Sequence, residues 1–434
     1  MLLKRLQLGL IHVAVAMTLV PITSTLNRVM IKELAIPATL VAVLASLPYL
    51  FSPIQVAIGA FSDKHPLLGR RRTPYIALGL LLCVAGLALS PLAAFAFERG
   101  GWAGLALSLL AFGAWGMGFN FATVAYFSLA SELSGEKGRG RTLAVMFFLM
   151  ILSIIVTAIG LSRMLEPYSP AVLVRAFLTV AALALILGVI GLIGLEPRAA
   201  SGMGAAAPRE SWADLARALT ANRQARLFFF YLILMLAAIL GQDILLEPFA
   251  AQAFGMTVRE TTRITSIWGV CTLICLIAAG VLEGRMGKLT IARLGAVGAM
   301  AAFAIMVLSG FAAQSGVFYL GVALLGLATG LATVSNLSLM LDMTTAGQVG
   351  LFIGAWGMAN ALARLAGNIL GGVARDAVTQ IAHDPLTGYV FVFGAEAVML
   401  FVSLLILRKI DVSAFRRHTG QPSVIERAAL ASEA

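Results

Sequence analysis

The chain has 434 residues, of which 60% are hydrophobic and 12% charged, far from the roughly 45–50% and about 25% of soluble globular domains. That excludes a water-soluble enzyme as the frame. The formal net charge of +11 does not indicate nucleic acid either, because the basic residues gather at the ends of apolar runs in alternate loops instead of forming one stripe.

The apolar runs are long and apolar on every face, so they are spanning helices; barrel strands would be about ten residues long with alternating polarity. The basic start and apolar stretch of the N-terminus lack a clean small-residue cleavage site, so this segment is expected to be a retained first helix. Polar clusters and Gly/Pro punctuation predict spans over 9–30, 38–61, 74–97, 102–130, 142–165 and 172–195. A second set follows over 227–250, 262–284, 290–312, 316–341, 349–372 and 387–408. The expected architecture is therefore an all-α integral membrane protein with two six-helix bundles, 1–195 and 227–408. Residues 196–226 form a linker and 409–434 a tail. Most of the 31 Lys and Arg fall on one side if both termini are cytoplasmic, which favours that orientation. Within the linker, Ser211 and Asp214 open a capping-box-like start to an interfacial helix carrying Trp212, Leu215 and Leu219.

The turn after the second span reads GAFSDKHPLLGRRR, with Gly59, Asp63, Lys64, Gly69, Arg70 and Arg71 as a candidate conformational latch. About half a chain later the eighth span ends in GVLEGRMGKL, with Gly284 where Asp63 stands. Duplication of a six-helix unit explains the echo. The first turn resembles the loop between helices two and three of the major facilitator superfamily, with three extra residues before Gly69. That resemblance implies a transporter-type fold of twelve helices in which Gly59 permits close helix approach and Asp63 engages a helix N-terminus or an Arg.

More narrowly, the run Thr25-Leu26-Asn27-Arg28-Val29-Met30, the Asp63 to His65 turn, Arg71-Arg72-Thr73-Pro74-Tyr75 and the block 116–147 resemble the bacteriochlorophyll-delivery family, light-harvesting assembly proteins of the PucC and LhaA type. What the resemblance implies is a non-catalytic factor in a bacterial inner or intracytoplasmic photosynthetic membrane. It would need no cofactor, bind bacteriochlorophyll as its ligand, and serve light-harvesting antenna polypeptides, with a pigment-synthesis enzyme as a further partner. An alternating-access transporter of a small amphipathic solute and a non-transporting scaffold are the alternatives.

Ionisable groups inside spans are costly and need a partner or a task. His12 is a candidate pigment ligand, because a neutral imidazole can hold a ring-bound metal; the alternative is a hydrogen-bonded interfacial His. Asn120 and Tyr126, among Phe119 and Phe121, are further candidate contacts, as are Asn27 and Arg28. For Arg28 the plainer expectation is a side chain reaching to headgroups. Asp243 and Arg364, expected at matching depth in spans seven and eleven at about 1.5 Å rise per residue, are a candidate ion pair lining a central or outward cavity, the alternative being a structural tie between helices; Asn360, Arg364 and Asn368 form a polar stripe. Glu247, beside Pro248, reads as a solvated helix-end charge. The three cysteines lie in apolar runs and the four His have no ligand spacing, so neither a metal site nor a catalytic constellation is expected.

Overall fold

In a computed structural model the described residues are 2–67, 69–197, 222–344 and 349–419. Among them the secondary structure is helical, with one isolated bridge between Leu67 and Arg70. Ten helical stretches among the described residues are long and apolar enough to cross a membrane. The other two expected spans are present in different form. The second is broken into α2 (Ala38–Ala45), α3 (Leu47–Leu50) and α4 (Ile54–Lys64). Pro48 and Pro53 explain the breaks, because each lacks an N–H and disfavours helical backbone in the residue before it. The eleventh lies within a long helix, Val349–Ala382.

The first span is α1 (Leu2–Met17) continued by two π-helical turns, Pro21–Leu26 and Val29–Glu33. Pro21 cannot donate to the preceding turn, and Thr18 already bonds to Val15, three residues back, so the ladder is reset there. Then come α5 (Thr73–Glu98), α6 (Trp102–Met164) and α7 (Pro170–Leu192). Although α6 is helical throughout, it holds two spans, Trp102–Ser134 and Arg141–Met164. The Ser134 and Thr142 hydroxyls are 2.6 Å apart, whereas eight residues of straight helix rise about 12 Å, so the chain folds back between them.

The later elements are α8 (Arg223–Gly241), α9 (Leu246–Phe254), α10 (Val258–Met286), α11 (Lys288–Ala312), α12 (Ser315–Asp342), α13 (Val349–Ala382), α14 (Pro385–Leu407) and α15 (Val412–Thr419). The linker segment 198–221, with the Ser211/Asp214 start, lies outside the described residues, as does the tail beyond 419.

The chain forms two compact units. One is Met1–Ala206 with Asp243–Gly269, and the other is Ala207–Gln242 with Val270–Ala434. In the first, α5 lies directly on α6: a Cβ on Gly79 would sit 2.4 Å from the Ala122 nitrogen, so only glycine permits this backbone approach. In the second, α8 meets α13 in the same way, with a Cβ on Gly367 falling 2.5 Å from the Ala237 carbonyl oxygen.

Candidate functional site

Four clusters of polar or aromatic side chains stand out, three in the first unit and one in the second.

The first lies where the second, third, fourth and sixth spans end. Leu67 and Arg70 exchange backbone hydrogen bonds of 3.0 Å, and Gly69 turns the chain between them at φ +71, a conformation that favours glycine. Arg72 is the N-cap of α5 but provides no capping oxygen. Glu196 supplies it from far along the chain: its carboxylate accepts the backbone N–H of Arg71 (2.8 Å), Arg72 (3.0 Å) and Thr73 (2.6 Å). A carboxylate here satisfies orphan donors and meets the positive end of the helix dipole. The Arg72 guanidinium donates to Glu132 Oε1 (2.9 Å) and to Ser62 Oγ (2.7 Å). Glu196 thus caps α5 and Glu132 pairs with Arg72 at this turn. The side chains of Asp63 and Lys64 lie outside the described residues, and Gly59 faces Val124 in ordinary contact.

The second cluster surrounds His12 on α1. Its ring packs against Tyr126 (centroids 5.1 Å apart), Phe127 (5.5 Å) and Phe147 (5.4 Å), the first two from the fourth span and the last from the fifth. The imidazole is 5% exposed and within hydrogen-bonding reach of the Met146 backbone, while Nδ1 is buried without a hydrogen-bond partner among the described residues. Phe147 is 42% exposed, beside Phe148 and Leu152 on an apolar outer face. The box therefore runs from a buried nitrogen to an exposed apolar surface. A buried imidazole nitrogen without a hydrogen-bond partner among the described residues, lined by one tilted and two edge-on aromatic rings, is a polar atom left available for a ligand.

Asn120 lies elsewhere on the fourth span. Its amide donates to the Pro48 (2.9 Å) and Gly116 (2.8 Å) carbonyls and its oxygen accepts from Gln55. Its polar atoms are thus spent on holding the broken second span.

The third cluster joins the π-helical end of the first span to the segment 243–269. Arg28, 3% exposed, pairs with Glu33 and donates to the Met256 carbonyl (3.0 Å). It does not reach out to headgroups, because those partners hold it inside. Asn27 donates to Thr23 (2.8 Å). Glu247 is not a solvated helix-end charge: it is 2% exposed and accepts from the Ser24 hydroxyl and from Thr265 Oγ1 (2.8 Å). Thr25 and Thr262 hydroxyls meet at 3.2 Å, and Ser162 donates to the Arg259 carbonyl at 2.8 Å.

In the second unit Lys288, at the start of α11, lies 2.8 Å from Asp342, at the end of α12. Tyr231 donates to Asn336 (2.8 Å) and the Trp356 indole to Thr344 (3.2 Å). Asn360, Arg364 and Asn368 follow one another by single turns on α13, with Asn368 buried. Asp243 lies in the short 3-10 turn Gln242–Ile244 and belongs to the first unit. Among the described residues no group of His, Cys, Asp and Glu has the arrangement of a metal site.

A family model described as PUCC protein matches residues 25–415, which takes in two of these clusters whole, all but His12 of the second and all but Thr23 and Ser24 of the third. The chain belongs to the PUCC protein family. It is 32% identical to Protein PucC of Cereibacter sphaeroides over 420 residues, covering 93% of this chain and 91% of that one. It is 29% identical to a Rhodobacter capsulatus protein named Bacteriochlorophyll synthase 44.5 kDa chain, over 93% and 94% of the two chains. Among solved structures, the nucleoside transporter NupG superposes with a TM-score of 0.72 at 15% identity, covering 93% of this chain and 99% of the other. A D-xylose-proton symporter gives 0.70 at 14% identity, covering 94% and 98%. This PucC-family chain therefore has the major facilitator fold, as its latch turn implied.

Proposed function

We propose that this protein binds bacteriochlorophyll within the membrane and hands it to nascent light-harvesting antenna polypeptides. The observation that carries this reading is His12: a buried imidazole whose Nδ1 has no hydrogen-bond partner among the described residues, set in a box of Tyr126, Phe127 and Phe147 that reaches an exposed apolar face. His12 would hold the magnesium, the three rings would lie against the macrocycle, and the Phe147 side would admit the pigment laterally from lipid. Family membership and the name of the Rhodobacter capsulatus relative support a tetrapyrrole as cargo. The role is binding and transfer, not catalysis, and its setting is the photosynthetic membrane with both termini cytoplasmic. An enzyme of pigment synthesis is a natural donor in such a scheme.

The test is antenna assembly in cells whose sole copy carries His12→Leu. Antenna absorption should fall while free pigment is still made. Undiminished antenna with normal protein levels would count against pigment handling at His12.

A further inference from the structure

Glu247 is a buried carboxyl that pigment handling leaves without a task. It stands in the first turn of α9, 2% exposed. Both its hydrogen-bond donors are neutral and meet the same oxygen: Ser24 from the π-helical turn of the first span, and Thr265, at 2.8 Å, from α10. The two hydroxyls are also 3.2 Å apart. The second oxygen, Oε2, is buried with no hydrogen-bond partner among the described residues.

The charged groups around it make no hydrogen bond to it among the described residues, although the Arg28 charge is felt at its carboxyl. Arg28, which faces it from the first span, spends its terminal nitrogens on Glu33 and the Met256 carbonyl. On α10, Arg259 pairs with Glu166, and Glu260 accepts from the Thr257 backbone and hydroxyl. Asp243 lies one turn earlier on Glu247's own segment. A carboxylate sealed from water with one oxygen unsatisfied is costly to keep ionised, and a bound proton removes the charge. The π-helical turns of the first span add to the case, since such irregularities concentrate where a helix serves a site.

We propose that Glu247 is a single-proton site whose loading seats the segment 243–269 against the π-helical end of the first span. With the proton bound, the Ser24, Thr265 and Thr25–Thr262 contacts close. When the proton leaves, the ionised carboxyl draws in water and the segment lifts. The ligand is a proton exchanged with the aqueous phase, and the device gives a major facilitator fold with few buried acids a place for ion coupling. It does not rest on pigment as the cargo.

The experiment is infrared difference spectroscopy together with hydrogen exchange on the full-length protein in lipid nanodiscs, across a pH series. Exchange is corrected for the intrinsic pH dependence of amide chemistry. In the wild type, the C=O stretch of a protonated carboxyl should vanish as pH rises, and opening of peptides within 246–262 should increase by up to about tenfold per pH unit, the slope of a one-proton linkage. Glu247→Gln keeps an acceptor for both hydroxyls, so it should lack the band and stay protected at every pH. Ser24→Ala should retain the band with a displaced midpoint. A titrating band that persists in Glu247→Gln, or unchanged pH-dependent opening in that variant, overturns the proposal. So does opening that follows sodium at fixed pH and ignores protons.

Discussion

The Arg72 guanidinium lies 2.8 Å from the Glu132 carboxylate, tying the start of the third span to the end of the fourth. Lys288 and Asp342 make the corresponding link in the second unit, from the start of α11 to the end of α12, also at 2.8 Å. The repeat detected in the two Gly-rich turns therefore extends to an ion pair in each half. Arg72 is the more deeply engaged member, because it also donates to Ser62. Arg72→Ala should cost about 1–3 kcal/mol, and a double-mutant cycle with Glu132→Ala should give a coupling of about 0.5–3 kcal/mol. Thermal unfolding in detergent measures both, and additive losses would show that the pair is not coupled.

Glu196 is the N-terminal cap of a helix that does not contain it. Replacing it with Ala leaves the Arg71, Arg72 and Thr73 N–H groups without their shared acceptor, at a cost of about 1–3 kcal/mol. Glu196→Gln retains an acceptor oxygen and should recover part of the loss. Amide exchange in the first turn of α5 is the local readout, and it should rise in Glu196→Ala before global unfolding does.

At the α5–α6 contact, Gly79→Ala places a methyl 2.4 Å from the Ala122 nitrogen. Backbone cannot yield as a side chain tip can, so the helices must separate, at about 1–3 kcal/mol. A lower unfolding temperature with unchanged helical content is the expected result.

Asp384 caps α14, accepting from the Leu386 (3.2 Å) and Thr387 (2.9 Å) N–H groups and from the Thr387 hydroxyl (2.7 Å). The Thr387 hydroxyl, then its N–H, hold the Asp384 carboxyl below the ordinary carboxylate value of 3.8. Because the folded value is the lower one, this cap contributes its full stability above the unfolded value and loses it as pH falls through the folded one. Protection of the first turn of α14 should therefore drop only in acid below about pH 4. Asp384→Asn should abolish that acid dependence, and Asp384→Ala should cost about 1 kcal/mol at neutral pH.

The spans were legible because apolar length is a local property of the sequence, and so was the tight turn at Gly69. Two other features were not. Glu196 reads as a loop acid because its partners are the backbone of residues more than 120 positions away, and backbone donors have no sequence signature. Glu247 next to Pro248 looks like a helix-end charge, and Ser24 and Thr265 look like ordinary small polar residues of apolar helices. Only the π-helical reset after Pro21, together with the docking of the segment 243–269, brings the three together. His12 was visible as a lone His, but the ring box around it comes from two distant spans.

The most direct test of pigment binding is the absorption spectrum of protein purified under mild conditions from pigment-producing cells, wild type beside His12→Leu. Wild-type protein should carry bacteriochlorophyll with a near-infrared band displaced from that of free pigment, and His12→Leu should carry much less, with the displacement lost. A wild-type preparation without pigment, or a His12→Leu preparation with the same band at the same occupancy, would contradict the account.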